Sequence, residues 1–160
     1  MTARPMREAA RVIVVDEDER VLLVRFDLVR GGHVWATVGG GLEPGEAHEG
    51  AARRELREEA GLEGVDLGPC IWTREHVFED PIGFAGQRER YYLVRTPAFE
   101  PVPGHTWEQL NAERVSAVRW WTIDEILAAP ESRFAPRRLG TLLRELVDRG
   151  APAEPIDVGM

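Results

Sequence analysis

The sequence predicts an α/β fold in which one sheet is covered by helices on both faces. Short apolar, β-branched runs bounded by turn residues recur along the chain, first at residues 11–15 and 21–25, and such runs are typical of strands. Residues 47–60 have the spacing of a helix. Near the end of the chain, apolar residues recur at i, i+3, i+4, i+7 and i+8, which indicates an amphipathic helix. Strands with helices between and after them are typical of this class.

Composition limits the kinds of partner. The 160 residues are enough for one domain with a core, so we expect a single domain over residues 1–150 and a disordered tail at 151–160. The formal net charge of −8 argues against long nucleic acid, which is bound by basic surfaces. A small phosphorylated ligand stays open, because a divalent cation can lie between carboxylates and phosphates.

The chain has the features of a cytoplasmic protein. No window approaches the run of about 20 apolar residues that spans a membrane, and residues 1–10 contain no apolar stretch of a signal sequence. The single cysteine, Cys70, can form neither an internal disulfide nor a thiolate metal cage alone. We therefore expect a cytoplasmic protein with no membrane partner.

The first strands are predicted at residues 11–15 and 21–25, joined as a hairpin by an acidic turn. A third short strand at residues 35–38 runs into three consecutive glycines, at positions 39–41. A run of glycines marks a backbone that turns tightly or approaches something closely.

Two more strands are predicted after the helix, at residues 69–78 and 88–95, with an irregular connection between them. Residues 96–113 carry three prolines and are expected to form a long loop before a strand at 114–121. Thr122 and Glu125 have the spacing of a capping box, which predicts a short helix before Pro130. Pro136 is expected to open the last helix, and Gly150 to end it.

Three glutamates gather on one side of the helix at residues 47–60. At 100° per residue, Glu55, Glu58 and Glu59 share an arc of about 100°. Each like-charge pair costs a helix about 0.2–0.5 kcal/mol, and a hard divalent cation with oxygen ligands reverses that sign. On clustering alone, a solvated acidic face, with Arg54 neutralising part of its charge, is the favoured interpretation.

The residues around the cluster decide between these two interpretations. Gly40 is followed after five residues by Glu46, and seven residues later by the run RELREEAGL, from Arg54 to Leu62. This resembles the Nudix hydrolases, whose box is G-x5-E-x7-R-E-U-x-E-E-x-G-U with U a bulky aliphatic residue. Every fixed position matches, and chance would produce this with a probability of about one in a million. The resemblance extends more weakly to about Leu127.

The resemblance implies a Nudix-type α/β/α sandwich with a central mixed sheet. It also implies cleavage of a pyrophosphate bond, by water attack at phosphorus, in a nucleoside diphosphate linked to another moiety. The cofactor implied is Mg²⁺ or Mn²⁺. The metal ligands carried over onto this chain are Glu55, Glu58, Glu59 and the carbonyl of Gly39.

The resemblance also implies roles for other residues. The general base is Glu55, Glu58 or a glutamate outside the box, for which Glu108 and Glu113 are candidates. Arg54 belongs to the catalytic group by holding a glutamate in place, and Glu46 has a structural role near the start of the helix. The family often has Leu-Pro-Gly-Gly where this chain has residues 37–40 as TVGG, which puts the placement of the Gly39 carbonyl in doubt.

Substrate contacts are less well determined. A nucleoside triphosphate, an oxidised nucleotide or a dinucleoside polyphosphate is expected as the small-molecule partner. Phosphate-binding candidates are Arg25, Arg30, Arg74, Arg88 and Arg90, of which at least three are expected to be solvated strand-edge charges. His33, just before the glycine loop, is a candidate for contact with the substrate, although an exposed loop histidine is the favoured interpretation. The aromatic residues Trp35, Trp72 and Phe78 are candidates for contact with a base, although large aromatics are more often core. Dimers are common among similar proteins, so a homodimer stays an open assignment.

Two other functions fit the same scaffold. A non-catalytic nucleotide-sensing module has no need to keep a general base, whereas this chain keeps the glutamates. An isomerase on this scaffold usually departs from the strict box. Turnover distinguishes the hydrolase from the sensor, because a sensor binds without releasing phosphate or pyrophosphate.

Overall fold

The computed structural model describes residues 4–29, 31–77 and 83–159, so Arg30, Phe78 and part of the connection after residue 78 lie outside it. The strands are β1 (Met6–Val15), β2 (Val21–Asp27), β3 (His33–Gly41), β4 (Cys70–Val77), β5 (Gly86–Arg95), β6 (Val115–Trp121), β7 (Phe134–Ala135) and β8 (Ile156–Asp157). The helices are α1 (His48–Glu55), α2 (Trp107–Ala112), α3 (Ile123–Ala128) and α4 (Leu139–Arg149).

The strands form one mixed sheet in the order β6-β2-β3-β1-β5-β4-β8, with β7 paired to β3. Strand β1 lies in its middle, parallel to β5 along its whole length and antiparallel to β3. The expected hairpin is largely wrong: β1 and β2 pair only at Val15 and Val21, next to their turn. Strand β2 instead pairs with β3 and β6, and in this position its apolar side chains are buried in the cores on both faces of the sheet.

Helices cover both faces of the sheet, as expected for this class. Alternate side chains of β1 point to opposite faces of the sheet. Val12 and Val14 pack in the core on the α1 face, and Ile13 packs in the core on the other face. Helix α4 buries its leucine stripe against the second face, with α3 beside it. In the residues described, no helix is both long and apolar enough to cross a membrane.

The helix of the glutamate cluster ends irregularly. Helix α1 passes at Leu56–Ala60 into a π-helical turn, and Gly61 stops it in the left-handed conformation at φ 70°. A π-helical turn holds more residues than the 3.6 of an α-helix, so the regular helical wheel misplaces the side chains of this turn. Both Glu58 and Glu59 are buried as a result, while Arg57 points to solvent.

Three predictions differ from the structure, because the residues that decide them give a weak local pattern or act through distant contacts. The predicted loop at 96–113 contains α2, which starts with a capping box between Thr106 and Gln109. The last helix begins at Leu139, because Phe134–Ala135 pair with β3 and hold the chain extended up to Pro136. The tail is not disordered in its described part, because β8 pairs with β4 and Val158 is 6% exposed.

Candidate active site

A cavity of about 570 Å³ opens where the ends of β1, β2 and β3 meet α1. One wall is acidic, with Glu55, Glu59 and Glu113. Arg7 and Arg11 of β1 form its basic wall. A volume of this size suits a nucleotide-sized ligand.

The three glycines at the end of β3 give space to functional side chains. A Cβ at Gly40 would lie 2.8 Å from Glu55 Oε1, and one at Gly41 would overlap the Arg7 guanidinium. Gly39 has φ 146°, and a Cβ there would overlap the Ala10 carbonyl oxygen. The glycine run therefore marks a close approach within a strand rather than a tight turn.

The box glutamates are buried beside these glycines. Glu55, Glu58 and Glu59 are 6%, 9% and 1% exposed. Glu59 Oε1 accepts a hydrogen bond of 2.8 Å from the Gly39 N–H. Burial raises the pKa of Glu55, and burial together with the charge of Glu55 raises the pKa of Glu59 well above its usual range. The pocket therefore concentrates carboxylates that lack a full counter-charge.

Arg54 forms hydrogen bonds with several other residues of the motif. Its Nη1 donates to Glu55 Oε1 at 3.0 Å and to Glu58 Oε2 at 3.1 Å. Its Nε and Nη2 donate to the two oxygens of Glu46 at 2.8 and 2.9 Å, and Nη2 also donates to the Gly41 carbonyl. Glu46 lies before α1 rather than on it, where it holds Arg54 in this position.

His105 contacts the glutamate cluster from a segment distant in sequence. Its Nε2 lies 2.9 Å from Glu58 Oε1, and this hydrogen bond raises the pKa of His105. The loop before α2 docks on the π-helical turn, because the N–H groups of Gly104 and His105 donate to the carbonyls of Arg57 and Glu58. No local sequence pattern signals this docking, since 47 residues separate Glu58 from His105.

A buried polar cluster backs the basic wall. Glu89 is 2% exposed and accepts from Arg11 Nε at 2.6 Å and from Arg74 Nη1 at 2.7 Å. Burial alone would raise the pKa of Glu89, but these two arginines and their hydrogen bonds lower it to about 2. Arg11 also donates to the Gly39 carbonyl at 3.0 Å. Sequence reasoning missed Arg7 and Arg11, although their spacing places both on one face of β1.

Of the two carboxylates proposed outside the box, Glu113 lines the pocket, whereas Glu108 is exposed on α2 and does not. The other substrate candidates do not line it either. His33 lies at the opposite end of β3 from the glycines, and Arg25 donates to Ser116 Oγ at 2.8 Å.

The remaining residues predicted to contact the substrate lie in the core, behind the pocket or on the surface. Trp35 lies in the core, its ring centroid is 5.2 Å from that of Trp121, and it does not line the pocket. Trp72 is likewise 1% exposed and packs on Tyr91. Arg74 is held behind the pocket wall by Glu89, and Arg88 pairs with Glu75 at the surface.

The donor set has the chemistry of a hard divalent cation site. The carboxylates of Glu55, Glu58 and Glu59 offer oxygen ligands only, which suits Mg²⁺ or Mn²⁺, and their burial favours an added positive charge. As they stand, however, no three acidic, His or Cys side chains among the described residues are spaced to hold an ion. Arg54 and His105 occupy oxygens of Glu55 and Glu58, so binding requires these carboxylates to turn.

Comparison with known proteins identifies the family. The NUDIX domain model matches residues 5–143. The RNA pyrophosphohydrolase of Sphingopyxis alaskensis is 32% identical over 148 residues, which cover 84% of this chain and 90% of that protein. The chain belongs to the NUDIX family. The NUDIX motif, its family and the α/β fold predicted from the sequence are thereby confirmed, and the chain is a hydrolase.

Other NUDIX proteins agree over shorter or more distant matches. The nucleoside triphosphatase NudI of Escherichia coli (strain K12 / DH10B) is 38% identical over 79 residues, or 49% of this chain and 55% of that protein. The structure of the E. coli dihydroneopterin triphosphate pyrophosphohydrolase superposes with a TM-score of 0.64 at 19% identity, covering 92% of this chain and 99% of that one. This last likeness shows the shared NUDIX fold.

Proposed function

We propose that this NUDIX protein is a divalent-metal-dependent pyrophosphohydrolase that cleaves a pyrophosphate bond of a nucleotide by water attack at phosphorus. One observation carries the proposal: Glu55, Glu58 and Glu59 are buried together, Glu55 and Glu59 line a nucleotide-sized pocket, and the pKa values of these two are raised. A solvated acidic face, the alternative that clustering alone left open, would expose these side chains. Burial of like charges is costly unless a ligand of opposite charge joins them.

Glu55, Glu58, Glu59 and the Gly39 carbonyl are the residues we propose to hold Mg²⁺ or Mn²⁺. A bound cation would neutralise phosphate charge and make water more acidic at the reacting phosphorus. Other residues of the motif position these ligands: Glu46 accepts a hydrogen bond from Arg54, and Arg54 donates to Glu55 and Glu58.

The general base in this proposal is a carboxylate of the buried glutamate cluster or of the pocket lining. Glu55 and Glu58 remain the candidates within the box, and Glu113 is the preferred candidate outside it, because Glu113 lines the pocket and Glu108 does not. The two outer glutamates form a matched pair for a test. We expect Glu113→Gln to lower kcat by about 10²-fold or more, as loss of a general base does, and Glu108→Gln to leave it unchanged.

The substrate class follows from the pocket and the relatives. Relatives named as an RNA pyrophosphohydrolase and a nucleoside triphosphatase support a substrate with a phosphate chain on a nucleoside. We therefore propose a nucleoside triphosphate, an oxidised nucleotide or a dinucleoside polyphosphate. The basic wall of Arg7 and Arg11 would then face the phosphates, and Phe26 with Leu28 would offer an apolar surface to the remainder.

The test is product release from a panel of these nucleotides with Mg²⁺ or Mn²⁺. We expect turnover that stops with EDTA and falls by about 10²-fold or more in Glu58→Gln and Glu59→Gln. Glu49→Gln, on the exposed side of the same helix, is the matched control and should keep full activity. Metal-dependent binding without turnover of any nucleotide would favour the sensing module instead, and unchanged activity in both box variants would place the metal elsewhere.

A further inference from the structure

We propose that Arg114 binds the phosphate chain of the substrate and sets the affinity of the site. The inference rests on the proposed function and adds to it a cation outside the NUDIX box. Arg114 lies between α2 and β6, and it lines the same pocket as Glu55 and Glu59.

The backbone of Arg114 is unusual for its residue type. It has φ 69°, a left-handed conformation that it shares with only one other non-glycine residue in the described part of the chain, Glu19. Arg114 follows the C-cap of α2, Glu113, and glycine is the residue usually found at this position. A long charged side chain is therefore kept where glycine would fit the backbone better.

The backbone of Arg114 is fixed at both of its polar groups. Its N–H donates to the Asn111 carbonyl at 3.0 Å, and its carbonyl accepts from the Asp27 N–H at 2.8 Å. These bonds need no particular side chain, so they hold the position in place without explaining why it is an arginine.

The guanidinium of Arg114 differs from the other pocket cations in its partners. Arg11 is paired with Glu89, Arg54 with Glu46, Glu55 and Glu58, and Arg7 donates to Gln87. No ion pair or side-chain hydrogen bond joins Arg114 to any residue that the structure describes.

The acidic residue bonded to its backbone is turned away. Asp27 Oδ1 accepts from Ser116 Oγ at 3.0 Å and lies 3.8 Å from Arg25 Nε. The guanidinium of Arg114 is thus available on the pocket surface for an anionic ligand.

The chemistry of the group matches phosphate. A guanidinium offers two parallel donors to phosphate oxygens, and the backbone hydrogen bonds hold the Cα of Arg114 at the edge of the pocket. Because the contact is made to the phosphate chain before and during the reaction, its loss should raise KM rather than lower kcat.

The test separates binding from folding through the substitution Arg114→Gly. In this variant KM should rise about 10–100-fold, as expected for the loss of one charge-assisted contact, with kcat within about threefold of wild type. Its Tm should stay equal to the wild-type Tm or exceed it, because glycine suits the left-handed backbone. Arg114→Lys should recover part of the affinity.

Glu19→Gly is the matched control, since it makes the same backbone change in a turn outside the pocket and should leave KM unchanged. Binding of Mg²⁺-tripolyphosphate to wild type and Arg114→Gly is measured alongside by calorimetry. If no nucleotide is turned over, the proposed hydrolysis fails, while weaker tripolyphosphate binding by Arg114→Gly would still uphold this contact.

Two results would overturn the proposal. One is a KM and a tripolyphosphate Kd in Arg114→Gly within twofold of the wild-type values. The other is a loss of binding together with a Tm several degrees below wild type, because that would assign Arg114 a structural role.

Discussion

Glu59 combines deep burial with a negative charge at the edge of a pocket. Its pKa lies above the value of about 4.5 that it has in the unfolded chain, so the folded state holds a proton that the unfolded state releases. The stability of the metal-free protein should therefore fall as the pH rises through the folded pKa of this group. The same excess of negative charge is what a divalent cation would offset.

Replacing Glu59 should thus affect stability in opposite directions with and without metal. In EDTA, at a pH above the folded pKa of Glu59, Glu59→Gln should melt at a higher temperature than wild type, because a buried like charge is removed and Gln can still accept from Gly39. The difference should shrink as the pH is lowered and Glu59 takes up its proton. Adding Mg²⁺ should raise the Tm of wild type and leave Glu59→Gln nearly unchanged. Thermal melts over a pH series, with and without Mg²⁺, check this, and an equal Mg²⁺ shift in both proteins would contradict it.

Glu89 is the opposite case, a buried carboxylate with two cationic partners. Glu89→Gln leaves the charges of Arg11 and Arg74 without their counter-ion, which should cost about 3–5 kcal/mol in the free energy of unfolding by urea. Glu75→Gln, in the exposed pair with Arg88, is the control and should stay close to wild type.

The pH dependence of this second effect has a defined sign. The pKa of Glu89 is about 2 in the fold against 4.5 unfolded, so its contribution to stability is present above about pH 4.5 and is lost as the pH falls towards 2. The gap between wild type and Glu89→Gln should close over that range. A gap that stays constant from pH 6 to pH 3 would show that the charge of Glu89 is not its source.

At the scale of elements, the glycine end of β3 packs closely against α1. A Cβ at Gly40 would meet Glu55 Oε1 at 2.8 Å, and Gly40 does not have a positive φ. Gly40→Ala should therefore displace Glu55 and lower kcat/KM by about tenfold or more, with little change in Tm.

Gly50→Ala is the control for this prediction, since Gly50 lies within α1 and a Cβ there has ordinary contacts. It should stabilise the protein by about 0.5–1 kcal/mol and leave kcat/KM unchanged. Full activity in Gly40→Ala would mean that the close packing of Gly40 on Glu55 does not position the carboxylate.

Local patterns predicted some elements and missed others for identifiable reasons. The capping box at Thr122 and Glu125 was read from the sequence and is present at α3. The equivalent box at Thr106 and Gln109 was hidden among prolines, so α2 was taken for loop. The π-helical turn that contains the buried Glu58 and Glu59 was not predicted, because a regular helical wheel assumes 3.6 residues per turn throughout.

At the scale of the whole molecule, pairing between distant segments completes both the sheet and the site. The parallel pairing of β1 with β5 brings Arg11 to Glu89, 78 residues away in sequence, and no spacing rule predicts such a contact. The NUDIX motif could be found from sequence because its chemistry lies within 23 consecutive residues, from Gly40 to Leu62. The basic wall of the pocket could not, because it depends on the sheet order.

The C-terminal segment is part of this assembly. Val158 packs into the core beside α4, and β8 extends the sheet at β4, away from the pocket. Val158→Ala should lower the free energy of unfolding by about 1–3 kcal/mol with kcat/KM unchanged, as checked by urea unfolding and steady-state assay. Glu154→Ala, on the exposed stretch before β8, should change neither quantity. A wild-type stability in Val158→Ala would show that the tail does not contribute to the fold.

The central claim is that the buried glutamates of the NUDIX box hold a divalent cation. Titration with Mn²⁺ followed by electron paramagnetic resonance tests it most directly, because it counts bound ions without any substrate. Wild type and Glu49→Gln should bind Mn²⁺ with the same affinity. In Glu58→Gln and Glu59→Gln the Mn²⁺ affinity should fall by about tenfold or more. Unchanged Mn²⁺ affinity in both box variants would contradict the account.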